Sequence, residues 1–335
     1  MGLRRLLGLK KNPIPELVIP EAPPPEPVIE ESEEEVLTID PMVPTSAYDP
    51  TGLFGYSPKA VEPLTGVLPG MGPIPFRSET CSSHHFLLSC YQHWCQEIDE
   101  VPRYHRKQWE FVYILQSLWE RGYLTAGKRG VGFGVGREPL SAVMASHGCN
   151  VVATDLEVEA QMSADWANTV QHASTLAHLN DKGICAPSVF EKNVTFRPVN
   201  MNHIPSDLQG FDFSWSACCL EHLGSLQAGM DFYKNSLACL KPGGLAIHTT
   251  EINLSSLEDT VEVGDTVLYR QQDIERLMDE LRSEGHACEP LLIHYGSQPI
   301  DGFVDVPPYR VEPHLRLTLE QYVTTSIGVI TRKAM

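Results

Sequence analysis

Residues 128–155 read KRGVGFGVGREPLSAVMASHGCNVVATD, and their order decides the fold. Glycines at 130, 132, 134 and 136 interrupt a short apolar run, which predicts a strand opening into a tight turn. From Glu138 to His147 the pattern is helical, with Pro139 suited to a first helical turn and Gly148 to the stop. A second apolar strand, Val151 to Thr154, ends on an acid, Asp155. The whole is a β-α-β unit near the minimum length for a parallel crossover. Glycine lets the backbone turn sharply and lets a ligand approach with no Cβ in the way. The helix start behind the turn adds unpaired N–H groups and the positive end of a dipole. An acid closing the next strand is placed to accept hydrogen bonds from a ribose.

A dinucleotide fingerprint, G-x-G-x-x-G, starting at Gly132 needs its third glycine where Arg137 stands. The spacing Gly132, Gly134, Gly136 is G-x-G-x-G instead. It resembles motif I of class I S-adenosylmethionine-dependent methyltransferases. Two later segments, FDFSWSACCLEHL at 211–223 and LACLKPGGLAIHTTE at 237–251, are similar to the second half of that family. Each is weak alone; in this order, behind the glycine turn and its acid, they are specific. The resemblance covers about Gly130 to Glu251. It implies an α/β fold with a mainly parallel seven-stranded sheet flanked by helices, binding S-adenosyl-L-methionine. The ending LRLTLEQYVTTSIGVITRK at 315–333, with PPYR at 307–310, also resembles methyltransferases among bacterial cell-surface glycan enzymes. That implies a small-molecule or glycan acceptor, methylated at a sugar hydroxyl or amine.

Carried over residue by residue, the resemblance runs Gly132, Gly134 and Gly136 along the cofactor's methionine part. Asp155 would hold the ribose hydroxyls and Leu156 lie against adenine. Asn200 stands where the family often has an Asp on the adenine amino group, with Met201 beside the ring. Ser216 and Ala217 would line the site after the fourth strand. One departure matters: the acid that often precedes the glycines by two places is replaced by Gly130. Arg137, beside the turn, suits the methionine carboxylate, since a guanidinium binds carboxylate in two-pronged fashion; the competing reading is a solvated surface arginine. For a general base the candidates are His222 and Glu251, both following strands at the rim where open α/β sheets bind ligands. His203 reads as structural, and His248, inside a strand, as a satisfied core residue.

The rest of the chain sets limits. At 335 residues it can bury a full core. A net charge of -18 argues against a nucleic-acid partner. The nine cysteines show no CxxC pair, so no metal is expected and the thiols read as free, in a cytoplasmic setting. No run reaches the roughly 20 apolar residues of a membrane span. Residues 1–75 are rich in proline and acid and read as a disordered tail; its first segment, MGLRRLLGLKK, offers at most weak contact with a membrane surface or a partner. Residues 78–125 read as a helical cap, with Ser78 as a possible N-cap and an amphipathic helix from Tyr104 to Tyr123. On that helix Arg106, Lys107, Trp109 and Glu110 either face the site or belong to the core. Residues 126–335 form the methyltransferase domain. Two other readings stand beside it: a nicotinamide-linked dehydrogenase, and a cofactor-binding module without turnover.

Overall fold

The computed structural model describes residues 75–156, 176–310 and 312–335. Except for Pro75, the tail lies outside the described residues, as does most of 158–179, a stretch whose sequence pattern predicts a helix. In chain order the elements are strand β1 (Ser78–Thr80), helix α1 (Ser89–Glu97) and helix α2 (Arg106–Glu120). Then come β2 (Arg129–Gly132), α3 (Leu140–Ser146), β3 (Asn150–Asp155), α4 (Pro187–Asn193) and β4 (Val194–Pro198). The second half holds β5 (Phe211–Ala217), α5 (Leu226–Ala238), β6 (Leu240–Asn253) and α6 (Gln271–Ser283). It closes with β7 (Leu291–Leu292), β8 (Arg316–Leu319) and β9 (Tyr322–Arg332).

The main sheet runs β7-β1-β9-β6-β5-β2-β3-β4. Strands β4, β3, β2, β5 and β6 are mutually parallel, and β9 returns antiparallel along β6 from Thr324–Asn253 to Arg332–Leu245. From β2 the chain builds outward through β3 and β4, then crosses back to place β5 on the other side. That reversal makes the crevice between β2 and β5 a topological switch point, where doubly wound sheets bind ligands. This is the methyltransferase-type α/β architecture that the resemblance implied. Apolar side chains fill both faces, with Trp94, Trp109, Val143 and Trp215 on one and Phe133, Phe232, Tyr233 and Leu277 on the other.

Three local readings change. Ser78 is not a helix cap: it sits in β1, between β7 (Ser78–Leu291) and β9 (Thr80–Ile327). Pairing on both sides outweighs a weak local capping signal. Helix α2 is not amphipathic, because every residue from Gln108 to Leu118 is buried. It packs so closely on β9 that a Cβ on Gly328 would meet the Tyr113 ring at 2.0 Å. Burying Ile114 and Leu115 fully is worth roughly 1.5–3 kcal/mol each, but the polar residues on such a helix must find partners. Gln116 accepts from the Trp94 indole at 2.7 Å, and Gln108 from the Tyr91 hydroxyl at 3.1 Å. Finally, the sequence at 263–266, VGDT, predicts a hairpin turn, but Val263–Gly264 pairs with Gly224–Ser225 and lays the 253–270 segment beside His222.

Candidate cofactor and acceptor site

The glycine turn after β2 is pinned from both neighbouring strands. The Phe133 N–H donates to the Trp215 carbonyl at 2.9 Å, and the Val135 N–H to the Thr154 carbonyl at 3.0 Å. Gly134 and Gly136 hold φ of 59° and 49°, in the left-handed region that a side chain resists. A Cβ on Gly134 would also lie 2.7 Å from the Cys219 sulfur and 3.4 Å from the Met201 sulfur. The loop after β5 closes on the turn, with Cys219 Sγ 3.3 Å from the Gly134 carbonyl.

Asp155 reaches the turn from β3. Its Oδ2 accepts the Gly136 N–H at 3.2 Å and its Oδ1 the Leu156 N–H at 2.8 Å. The carboxylate is thus oriented at the switch point, with half-exposed Leu156 next to it. Met201, buried, lies against the same turn. Exposed Asn200 caps the turn at Met201–His203, its Oδ1 accepting the Asn202 N–H at 2.9 Å. Gly132, Gly134, Gly136, Asp155, Leu156, Asn200 and Met201 are therefore brought to one crevice.

Arg137 and Ser216 are placed elsewhere. Exposed Arg137 pairs with Asp181 across the surface. Ser216 is wholly buried, its hydroxyl 2.8 Å from His248 Nδ1, while His248 Nε2 is 3.0 Å from the Ser236 hydroxyl. That histidine is a satisfied core residue, and burial pushes its pKa down to about 3. His203 stands exposed in its turn.

Sequence reasoning passed over Glu138. It follows the turn at the start of α3, is buried, and its Oε2 has no hydrogen-bond partner. Burial raises its pKa well above the usual carboxylate range; Lys107 opposes the rise, while Glu110 and Asp155 add to it. Only the helical position after a glycine turn could have flagged it.

On the other side of the β5 loop lies an ionic cluster seeded by α2. Arg106 pairs with Glu251 and, at 3.3 Å, with Glu110. Lys107 holds Glu110 at 3.1 Å and the Ala217 carbonyl at 2.9 Å. The Ser326 hydroxyl donates to Glu110 at 2.6 Å and Thr324 to Glu251 at 3.2 Å. Burial alone would raise the Glu110 pKa, but Lys107 and Arg106 outweigh it and hold the carboxyl below its ordinary range. Burial works against the Lys107 ammonium too, and Glu110 outweighs it, keeping the pKa above the usual lysine range. Cys218 sits among them at φ 52°, its thiol 3.0 Å from Glu110. Burial, then Glu110, pushes that thiol up, so it stays protonated and donates. Trp109, by contrast, is core.

His222 and Glu221 complete the rim. His222 Nδ1 lies 2.9 Å from the Asp265 carbonyl, which can only accept. A neutral ring therefore carries its proton on Nδ1 and its lone pair on Nε2. Glu221 is wholly buried, with Oε2 taking the Thr250 hydroxyl at 2.8 Å and Oε1 lacking a hydrogen-bond partner. Burial raises its pKa; His222 counters the rise and Glu251 adds to it.

No family model matches this chain, and no curated protein does. Solved structures that align with it include the methyltransferase domain of bacterial CtHen1-CN, at 12% identity and TM-score 0.42, covering 68% of this chain and 100% of that one. Magnesium protoporphyrin IX methyltransferase (ChlM) from Synechocystis PCC 6803, with bound SAH, aligns at 11% identity and TM-score 0.41, over 68% and 87%. The glycopeptide N-methyltransferase MtfA aligns at 12% identity and TM-score 0.39, over 64% and 92%.

Proposed function

We propose that the chain is an S-adenosyl-L-methionine-dependent methyltransferase acting on a polar acceptor, a sugar hydroxyl or amine of a glycan or its precursor. The observation that carries this reading is the glycine turn closed on Asp155 at the switch point, with charged and titrating groups across the β5 loop. The crevice fits the cofactor's polar groups: Asp155 for the ribose, the Gly134–Gly136 backbone for the methionine part, and Met201 for the ring. Glu138, a buried acid with an orphaned oxygen, suits the α-ammonium that the missing family acid would otherwise receive. Arg137 retains a role at the carboxylate only by leaving Asp181.

When bound, the cofactor supplies a methyl group already activated on sulfur, with a neutral leaving group. The protein's own part is alignment, exclusion of water and removal of a proton. Nε2 of His222 is the proposed proton acceptor. Glu251, tied to Arg106 and Thr324, serves better to accept a hydrogen bond from the acceptor's hydroxyl than to take its proton. A rim of carboxylates and cations supports a polyhydroxylated acceptor over an apolar one. The nine thiols are all free, as a reducing, cytoplasmic setting would have them. Among the described residues no helix is long and apolar enough to cross a membrane.

Calorimetric titration with S-adenosylmethionine and with NAD tests the first half of the proposal; binding of NAD alone would overturn it. A methyl-transfer screen over nucleotide sugars and glycan fragments, read by mass spectrometry, tests the acceptor. Transfer only to apolar acceptors would remove the glycan reading.

A further inference from the structure

A second cluster of chemistry-bearing side chains lies where β1 leaves the sheet, apart from the crevice and independent of the function proposed for it. Glu79 is in β1, His84 and His85 are in the turn Ser83–Leu87 that follows, and His294 lies just past β7. Glu79 is buried, and its Oε1 accepts the Arg77 N–H at 3.0 Å. Its Oε2 faces His85 Nε2 at 3.2 Å and His294 Nε2 at 4.0 Å. Glu79, His84 and His85 each bring one ligand atom within 4.8 Å of the others.

Ser82 orients both neighbouring rings. Its hydroxyl lies 2.7 Å from His84 Nδ1, and its carbonyl 3.1 Å from His85 Nδ1. The Ser82 N–H is farther from that nitrogen, at 3.4 Å, so the shorter contact makes Nδ1 of His85 the donor. The lone pair of His85 then sits on Nε2, which is buried and has no hydrogen-bond partner. In that tautomer the lone pair faces the Glu79 carboxylate at 3.2 Å, a contact relieved by a proton or a metal ion between them. The His84 and His85 ring centroids are 3.9 Å apart, which disfavours protonating both.

We propose that Glu79, His84, His85 and His294 form a divalent transition-metal site of the zinc type, fastening the turn after β1 to the segment after β7. Three imidazoles and one carboxylate are a donor set suited to Zn2+ and Co2+. Metal–ligand bonds of ~2.0–2.1 Å in a tetrahedron place ligand atoms ~3.3 Å apart. Glu79 and His85 already stand at that spacing, and half-buried His294 holds its Nε2 4.0 Å from the Glu79 carboxylate. Hydrogen bonds from both Nδ1–H groups to Ser82, one to its hydroxyl oxygen and one to its carbonyl, supply the outer support that metal-bound histidines ordinarily have. No spacing in the sequence betrays the group, since His294 joins it only through the β1–β7 pairing.

The test uses the full chain, stripped of metal with a chelator, desalted and titrated with Co2+. One equivalent should bind with the visible absorption of tetrahedral Co2+, be displaced by Zn2+, and raise the melting temperature. His84→Gln and His294→Gln alter accessible rings, so both variants should keep the far-ultraviolet dichroism of the parent. Each should weaken Co2+ binding at least tenfold, while His147→Gln leaves it unchanged. A chain that takes up no Co2+, or takes it up equally in both cluster variants, overturns the site and makes Glu79–His85 an ordinary ion pair.

Discussion

Phe213 occupies the space that a side chain at residue 130 would need: a Cβ built on Gly130 would meet its ring at 2.3 Å. The acid often found two places before the glycine turn is therefore excluded by packing, and the proposed site gives its task to another carboxyl. Gly130→Asp should displace Phe213 and destabilise the fold by about 1–3 kcal/mol, the usual scale of overpacking. It should not tighten cofactor binding. Thermal denaturation and calorimetric titration of the variant check both parts.

Glu138 is the carboxyl that remains. Burial keeps its pKa high in the free protein, and an arriving ammonium should lower it, so binding should release up to one proton. The heat of binding should then change with the ionisation enthalpy of the buffer. Glu138→Gln should abolish that buffer dependence and cost about 1.5–3 kcal/mol of affinity, the range for a hydrogen bond to a charged group.

Asp155 is the proposed ribose ligand. Replacing it with Ala should weaken S-adenosylmethionine binding by a similar about 1.5–3 kcal/mol while leaving the secondary structure intact. Unchanged affinity in the titration would remove Asp155 from the site.

His222→Gln should leave cofactor affinity alone and lower turnover ~100-fold or more, the scale of one acid–base group. The pH–rate profile should also lose its ascending limb. If turnover and profile survive, the acceptor is better read as an amine, already nucleophilic when neutral.

Stability should fall as the solution is acidified. His248 is neutral in the folded chain, with a pKa of about 3, while unfolded histidine titrates near 6.5. Between those values the unfolded chain binds more protons, so its share of stability is complete above about pH 6.5 and drains away toward pH 3. His105, lowered to about 3 by burial first and His314 next, acts in the same direction. Melting temperatures from pH 7 to pH 4 should decline, and less steeply in His248→Gln.

The parallel half of the fold was legible because parallel strands buried on both faces read as continuous apolar runs between glycine and proline breaks. Val151–Thr154 is of that kind, and Asp155 announced itself by closing it, whereas Phe211–Ala217 alternates its aromatics with Asp212, Ser214 and Ser216. The rim was less legible. Arg106, Lys107 and Glu110 read as either site or core, since only the burial of α2 on all sides forces those charges to pair. Glu221 and Glu138 looked like ordinary acids until their surroundings were known. Arg137 looked well placed because Asp181, far along the chain, is invisible as its partner. Ser78 carried a capping signal, and no local pattern reports that β9 offers an unpaired edge.

That edge pairing orders events in time. β1 hydrogen-bonds only to strands that follow it by more than two hundred residues, Leu291–Leu292 and Tyr322–Arg332. During synthesis it must wait, extended and unpaired, while β2 to β6 assemble a sheet beside it. Contacts so far apart in the chain form late, because the entropy of closing the loop comes first. Helices α1 and α2, which follow β1, reach their final seat only when β9 arrives to carry Gly328 under Tyr113. The charged rim that α2 supplies is thus closed by Thr324 and Ser326 of β9, more than two hundred residues along the chain from α2 itself.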